Sequence, residues 1–172
     1  NRADSCLDEM IRIWPKESNI YSIKAQVAFT RNDTVAAERW VDRALELNEY
    51  EGSAWSMKAV ILGGRKDYAG AERALDKAIV QMPRVAGLYV NRAMARYNQD
   101  NLRGAMSDYG AAIDMNPNNF LAHYNRGLLR ADVGEDNQAI EDFNFVLKLE
   151  PDNTIALYNR ALLLDRVGDY QV

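Results

Sequence analysis

Across Phe120–Asn153 the apolar residues fall in two runs with helical spacing. In the second run Ala139, Phe143, Val146 and Leu147 lie at helical intervals, which places them on one face. The first run, roughly 120 to 133, reads as an amphipathic helix ended by Gly134; the second, roughly 136 to 149, is stopped by Pro151. Proline lacks an amide donor and its ring clashes with the preceding turn, so a helix does not run through it.

The same punctuation returns every 34 residues. Pro15, Pro83, Pro117 and Pro151 share one phase, and Glu49 fills the slot that lacks a proline. A fixed period in this range signals stacked supersecondary units. With Phe120 as position 1, residues 1–17 form the second half of a repeat and 154–172 the first half of another. Whole repeats run 18–51, 52–85, 86–119 and 120–153, without insertion or deletion. Position 8 holds Ala25, Ala59, Ala93, Gly127 and Ala161; position 20 holds Ala3, Ala37, Ala71, Ala105 and Ala139. Both columns are small, as they must be where two helices approach closely. Position 24 holds the larger Leu7, Val41, Leu75, Tyr109 and Phe143, and Ala44–Leu45, Ala78–Ile79, Ala112–Ile113 and Val146–Leu147 continue that face. Short connections make each helix pair antiparallel. The expected fold is all-α, with about ten helices.

These columns resemble the tetratricopeptide repeat. The family's pattern of large, small and proline positions is met by Trp55, Ala59, Ala71, Ala78 and Pro83. It is met again by Tyr89, Ala93, Ala105, Tyr109, Ala112 and Pro117, and by Gly127, Ala139, Phe143 and Pro151. Two columns depart from it. Position 7, usually leucine, is basic throughout (Lys24, Lys58, Arg92, Arg126, Arg160), and position 11, usually tyrosine, is Ala28, Leu62, Arg96, Arg130 and Leu164. The resemblance implies a right-handed α-solenoid whose first helices line a concave groove. Each repeat of such an array contacts only its neighbours. The frame begins and ends in half-repeats, leaving Leu7, Met10, Ile11 and Trp14 at one end and Leu157, Leu162, Leu163 and Leu164 at the other without a neighbour. A fragment of a longer array is therefore expected, with end-to-end self-association through the uncapped half-repeats.

Composition narrows the chemistry. With 21 Lys and Arg against 25 Asp and Glu, the net charge is -4, and no basic excess is available to neutralise phosphates. Nucleic acid is not an expected partner. No apolar run reaches the length of a membrane span. Cys6 is the single cysteine and His123 the single histidine, so neither a cysteine zinc site nor a histidine pair for a metal exists. No carboxylate pair, nucleophile with a base or phosphate loop stands out, and neither catalysis nor a cofactor is expected. Cys6 and His123 read as packing residues, and Gly63–Gly64 as the close of its helix.

Candidate binding residues come from the first helices. Asn91, Asn125 and Asn159 occupy position 6 in three successive repeats. An amide side chain offers both donors and an acceptor, and a row of them suits the backbone of an extended peptide. This row is similar to the asparagine ladder of tetratricopeptide arrays in peptide-modifying glycosyltransferases. Bonding of these amides to the adjacent repeat is the alternative. Positions 2, 5, 9, 12 and 13 share the groove face and add Ser22, Gln26, Phe29, Ser56, Val60, Val90, Met94, Tyr97, Asn98, Tyr124, Leu128, Tyr158 and Leu162. The clamp by which some members of the family bind acidic chaperone tails needs lysine at position 5, where this chain has Ser22, Ser56, Val90 and Tyr124; that clamp is absent. Arg96 with Asp108, and Arg130 with Asp142, read as structural ion pairs, with Arg92 and Arg126 beside them. The expected function is a non-enzymatic scaffold that binds a protein or peptide in its groove. The alternatives are the substrate-presenting region of a larger enzyme such as a glycosyltransferase, and a structural assembly module.

Overall fold

The computed structural model describes residues 2–169, and side chains from 4 to 168; Asn1, the side chains of Arg2, Ala3 and Asp169, and residues 170–172 lie outside the described residues. Among the described residues are ten helices and no strand. In order they are α1 (Arg2–Ile13), α2 (Ser18–Thr30), α3 (Thr34–Leu47), α4 (Gly52–Gly64), α5 (Tyr68–Gln81), α6 (Ala86–Tyr97), α7 (Leu102–Met115), α8 (Phe120–Asp132), α9 (Asp136–Leu149) and α10 (Thr154–Asp169). The fold is an all-α array of helix pairs. The chain divides into two compact units, Asn1–Leu88 and Tyr89–Val172.

The turn inside each repeat crosses the left-handed region of backbone space once, always at position 15. The residues are Asn32 (φ 62°), Lys66 (64°), Asp100 (58°) and Gly134 (81°). Glycine adopts this conformation freely, and Asn and Asp tolerate it better than other side chains do. Lys66 has no such dispensation. Gly63–Gly64 does not make its turn: both glycines stay within α4, and Lys66 carries the reversal. One residue later a polar side chain caps the next helix. Asp33, Asp67 and Asn101 accept from Ala36 N, Gly70 N and Gly104 N at 2.9, 2.8 and 3.0 Å, satisfying an amide that the helix leaves without a partner.

A second clip joins successive repeats. The Tyr21 hydroxyl donates to Pro15 O (2.9 Å), and Trp55 Nε1–H donates to Glu49 O (2.7 Å). His123 Nε2 lies 3.0 Å from Pro117 O. In these three repeats position 4 places a polar tip on the carbonyl at position 32 of the preceding repeat. Glu49 serves as well as a proline because the contact is to the carbonyl, which every residue has.

In the first unit, Tyr21, Ala25, Ala37, Val41, Ala44, Ala54, Met57 and Ile61 make one buried cluster, flanked by Phe29 and Trp40. In the second, Ala139, Phe143, Val146, Leu147, Ala156 and Leu163 form the cluster, with Phe120, Tyr124, Leu128, Ala131 and Ile140 packed on it. Gly127 touches this core closely. A Cβ there would sit 3.2 Å from Phe143 Cζ and 3.3 Å from Asp142 Cβ. Cys6 departs from expectation: it is exposed, because α1 buries Leu7 instead.

Two stability measurements follow. Lys66→Gly removes left-handed strain from a bulky residue and is expected to stabilise the chain by about 1 kcal/mol in urea denaturation. Gly127→Ala is expected to gain less than the about 1 kcal/mol of helix propensity that alanine brings. In a Phe143→Leu background it should recover that gain, so the two changes are non-additive in a double-mutant cycle.

Candidate functional site

The second unit carries two adjoining clefts. The first, of about 190 Å³, is lined by Met94, Tyr97 and Asn98 from the end of α6 and its turn, Tyr109 from α7, and Asn125, Leu128 and Leu129 from α8. The second, of about 140 Å³, lies between α8 and α10 and is lined by Leu128, Ala131, Asp132, Phe143, Asn159, Leu162, Leu163 and Arg166. Leu128 is a wall of both. Each cleft is mostly apolar and holds one position-6 asparagine.

Asn125 and Asn159 are half-buried at these walls, and Asn91 is exposed one repeat earlier. Among the described residues no hydrogen bond engages any of the three side-chain amides, so they do not bond the adjacent repeat. Position 9 is open as well: Met94 is 45% and Leu162 51% exposed, and Leu128 is half-buried. Position 5 behaves differently. Ser22 and Val90 are buried, and so are not groove residues. Tyr124 stacks on Phe120 (ring centroids 6.1 Å apart) and meets Phe143 edge-on (6.0 Å). The reason is geometric: position 5 lies one helical turn before the small residue at position 8, on the packing face. Tyr158, at the same position in α10, is 63% exposed and lines neither cleft. Asp132 and Arg166 were not among the residues chosen from sequence, although both share position 13 with Asn98 and line the second cleft.

The charges behind the clefts are paired. Arg92 grips Asp108 with two bonds, Nε to Oδ2 (2.9 Å) and Nη2 to Oδ1 (2.7 Å), and Arg96 Nη1 reaches Oδ2 at 2.8 Å. The next repeat copies this arrangement. Arg126 bonds both oxygens of Asp142 at 2.9 and 2.7 Å, Arg130 Nη1 reaches Oδ2 at 2.8 Å, and His123 Nδ1 stands 3.1 Å from Oδ1. The Asp108 and Asp142 side chains are 5% and 3% exposed. Such forked bonds combine charge with fixed geometry. His123 is buried and its ring stacks on Phe145 at 3.9 Å. Elsewhere the basic column turns to position 25 of the preceding repeat. Lys24 pairs with Asp8, Lys58 with Asp42 (2.9 Å), and Arg160 with the Asn144 amide oxygen (3.0 Å). Asp108 and Asp142, the aspartates at position 23, each engage the position-7 arginine of their own repeat.

At the edge between the clefts, the Tyr97 hydroxyl donates to Asp132. That bond, with burial and the charges of Asp132 and Asp100, holds the phenol pKa above its ordinary value. Arg166 bonds Asp136 and the Ala131 carbonyl. No group of three or more His, Cys, Asp or Glu suited to a metal occurs among the described residues, and no helix among them is long and apolar enough to cross a membrane.

Residues 90–135 match the family model of the tetratricopeptide repeat. No curated protein matches the sequence. Among solved structures the chain is similar to YrrB, a tetratricopeptide-repeat protein with an unusual peptide-binding site, at 19% identity and a TM-score of 0.81, over 94% of this chain and 84% of that one. It is similar to pilF of Pseudomonas aeruginosa (22% identity, TM-score 0.79, 91% and 71% covered). It also resembles the first tetratricopeptide domain of Spaghetti, solved with an HSP90 peptide (24% identity, TM-score 0.67, 69% and 94% covered). Residues 90–135 thus match the tetratricopeptide repeat, and the fold of the chain is the α-solenoid of these similar structures.

The buried carboxylates offer a direct test. Asp142→Asn leaves Arg126 and Arg130 facing a neutral group and is expected to cost about 3 kcal/mol in chemical denaturation. Asp42→Asn, at the exposed Lys58 pair, should change stability by less than about 1 kcal/mol.

Proposed function

We propose that the chain is a non-enzymatic interaction module that binds an extended peptide along the clefts of its second unit. One observation carries this reading. Asn125 and Asn159 stand half-buried on the walls of successive apolar clefts, with amides that bond nothing else among the described residues. Each amide can donate to a peptide carbonyl and accept from a peptide N–H, so the row recognises backbone. The apolar walls of Met94, Leu128 and Leu162 then supply contact area, in the manner of pockets that combine apolar lining with a few fixed polar groups. Peptide binding by YrrB and by the Spaghetti domain shows that the same fold serves this purpose in other chains. Tyr158 extends the row beyond Asn159 as an exposed aromatic, and aromatic residues are favoured anchors in interfaces. An acidic chaperone tail does not fit this reading, since no lysine stands among the cleft-lining residues.

The test is a joint change of Asn91, Asn125 and Asn159 to alanine. Peptides selected from a random linear library should bind the triple variant at least about tenfold more weakly, since each lost hydrogen bond is worth about 1 kcal/mol. Equal affinity in a variant that keeps its helical circular dichroism rejects the asparagine row as the peptide contact.

A further inference from the structure

We infer that the first cleft takes one uncharged ring with a hydroxyl at its tip, a tyrosine side chain of the bound peptide, and that Tyr109 receives that hydroxyl on the buried wall. This rests on the peptide reading above and names the side chain that one of its clefts selects. Tyr109 carries the inference. It stands at position 24, the column that Val41, Leu75 and Phe143 fill in the other whole repeats with purely apolar side chains. Packing at that position therefore has no use for an oxygen. Tyr109 is only 2% exposed and lines the cleft, yet no hydrogen bond engages its hydroxyl among the described residues. Among those residues, the side-chain polar atom that is both sealed from solvent and without a bond is Arg130 Nε. The Tyr109 hydroxyl is therefore not sealed, and the cleft is where it opens. Burial, with Tyr97 and Asp108 nearby, pushes the phenol well above its ordinary value, so it meets a ligand as a neutral group able to donate and to accept. The second cleft has Phe143 in the same column and offers no hydroxyl there.

Size and charge narrow the occupant. The cleft holds about 190 Å³, and an apolar cavity of about 150 Å³ accommodates benzene, so a ring with one further oxygen fits. Met94, Leu128, Leu129 and the Tyr97 ring supply apolar contact, and the Asn125 amide stands at the wall for the ligand backbone. No charged side chain lines this cleft. Three carboxylates lie outside its lining. Asp108 is held by Arg92 and Arg96, Asp132 accepts from the Tyr97 hydroxyl, and Asp100 acts on Tyr97 from the turn. A charged ligand group would leave water without an opposite charge in the lining to meet it. A plain ring such as phenylalanine would shut the Tyr109 hydroxyl away from water unpaired, and a buried donor left so costs more than a bond gains. Sites built around a polar group reject the analogue that lacks its partner for this reason.

The experiment titrates the whole chain with N-acetyltyrosinamide and with N-acetylphenylalaninamide to millimolar concentration, the range expected of ligands this small. Amide NMR shifts follow the binding, and both titrations are repeated on Tyr109→Phe. The tyrosine probe should bind the unchanged chain about tenfold more tightly than the phenylalanine probe, with shifts at residues lining the first cleft. Tyr109→Phe should erase that preference. Its urea midpoint should stay level or rise, since Phe143 fills the same column without a hydroxyl. Equal affinity of the two probes, a preference that survives Tyr109→Phe, or no shifts at the cleft would overturn the inference. A lower midpoint in Tyr109→Phe would also overturn it, because the hydroxyl would then have a partner inside the fold. Asn125→Ala keeps the two readings apart. If it weakens both probes alike while they fail to differ in affinity, the peptide reading stands and only the choice of side chain falls.

Discussion

Close approach between small residues is the constraint on which this architecture depends. Ala25, Ala37, Ala93, Ala105 and Ala139 are wholly buried, and Ala59 and Ala71 nearly so. Larger side chains at these positions would hold the two helices of a repeat apart and leave Val41, Leu75, Tyr109 and Phe143 without a fitted cavity. Interiors are packed at the density of organic crystals, so an added methylene is felt at once. Gly127 shows the limit, because there even a Cβ would press on Phe143. The small columns therefore set the distance between helices, and that distance sets the width of the clefts.

Polar contacts then orient what the small residues bring together. The left-handed residue at position 15 and the cap that follows it reverse the chain within a repeat. The bond from position 4 to the carbonyl at position 32 carries it into the next. Buried Asp108 and Asp142, each held by two arginines, add a polar element that tolerates few alternative registers. An ion pair of this sort is weak evidence for stability, since removing two charges from water offsets most of their attraction. Its geometry, with forked bonds from helices packed side by side, constrains how those helices align.

The clefts inherit their character from what packing leaves unused. On a first helix, positions 5 and 8 face the neighbouring helix, and positions 6, 9 and 13 face away from it. The first set is filled by Val90, Ala93, Tyr124 and Gly127, and the second by Asn91, Met94, Asn98, Asn125, Leu128, Asp132 and Asn159. Apolar side chains, the unbonded amides of Asn91, Asn125 and Asn159, and the Asp132 carboxylate are the result.

The 34-residue period, the small and bulky columns and the proline phase determined the helix pairs from sequence alone, because those features are local and repeat. The Arg96–Asp108 and Arg130–Asp142 pairs were also legible, since a short turn places positions 11 and 23 on facing helices. Tertiary structure alone decided the rest. Ser22 and Val90 lie in the packing rather than the groove because position 5 shares the face of the small residue at position 8, and how far that packing face extends around the helix is set by the neighbouring helices. Cys6 is exposed and Lys66 makes its turn because burial and backbone strain depend on neighbours that the linear pattern does not name. Whether the three asparagines bonded one another's helices or stood free was settled only by the distances between side chains, which no residue type specifies.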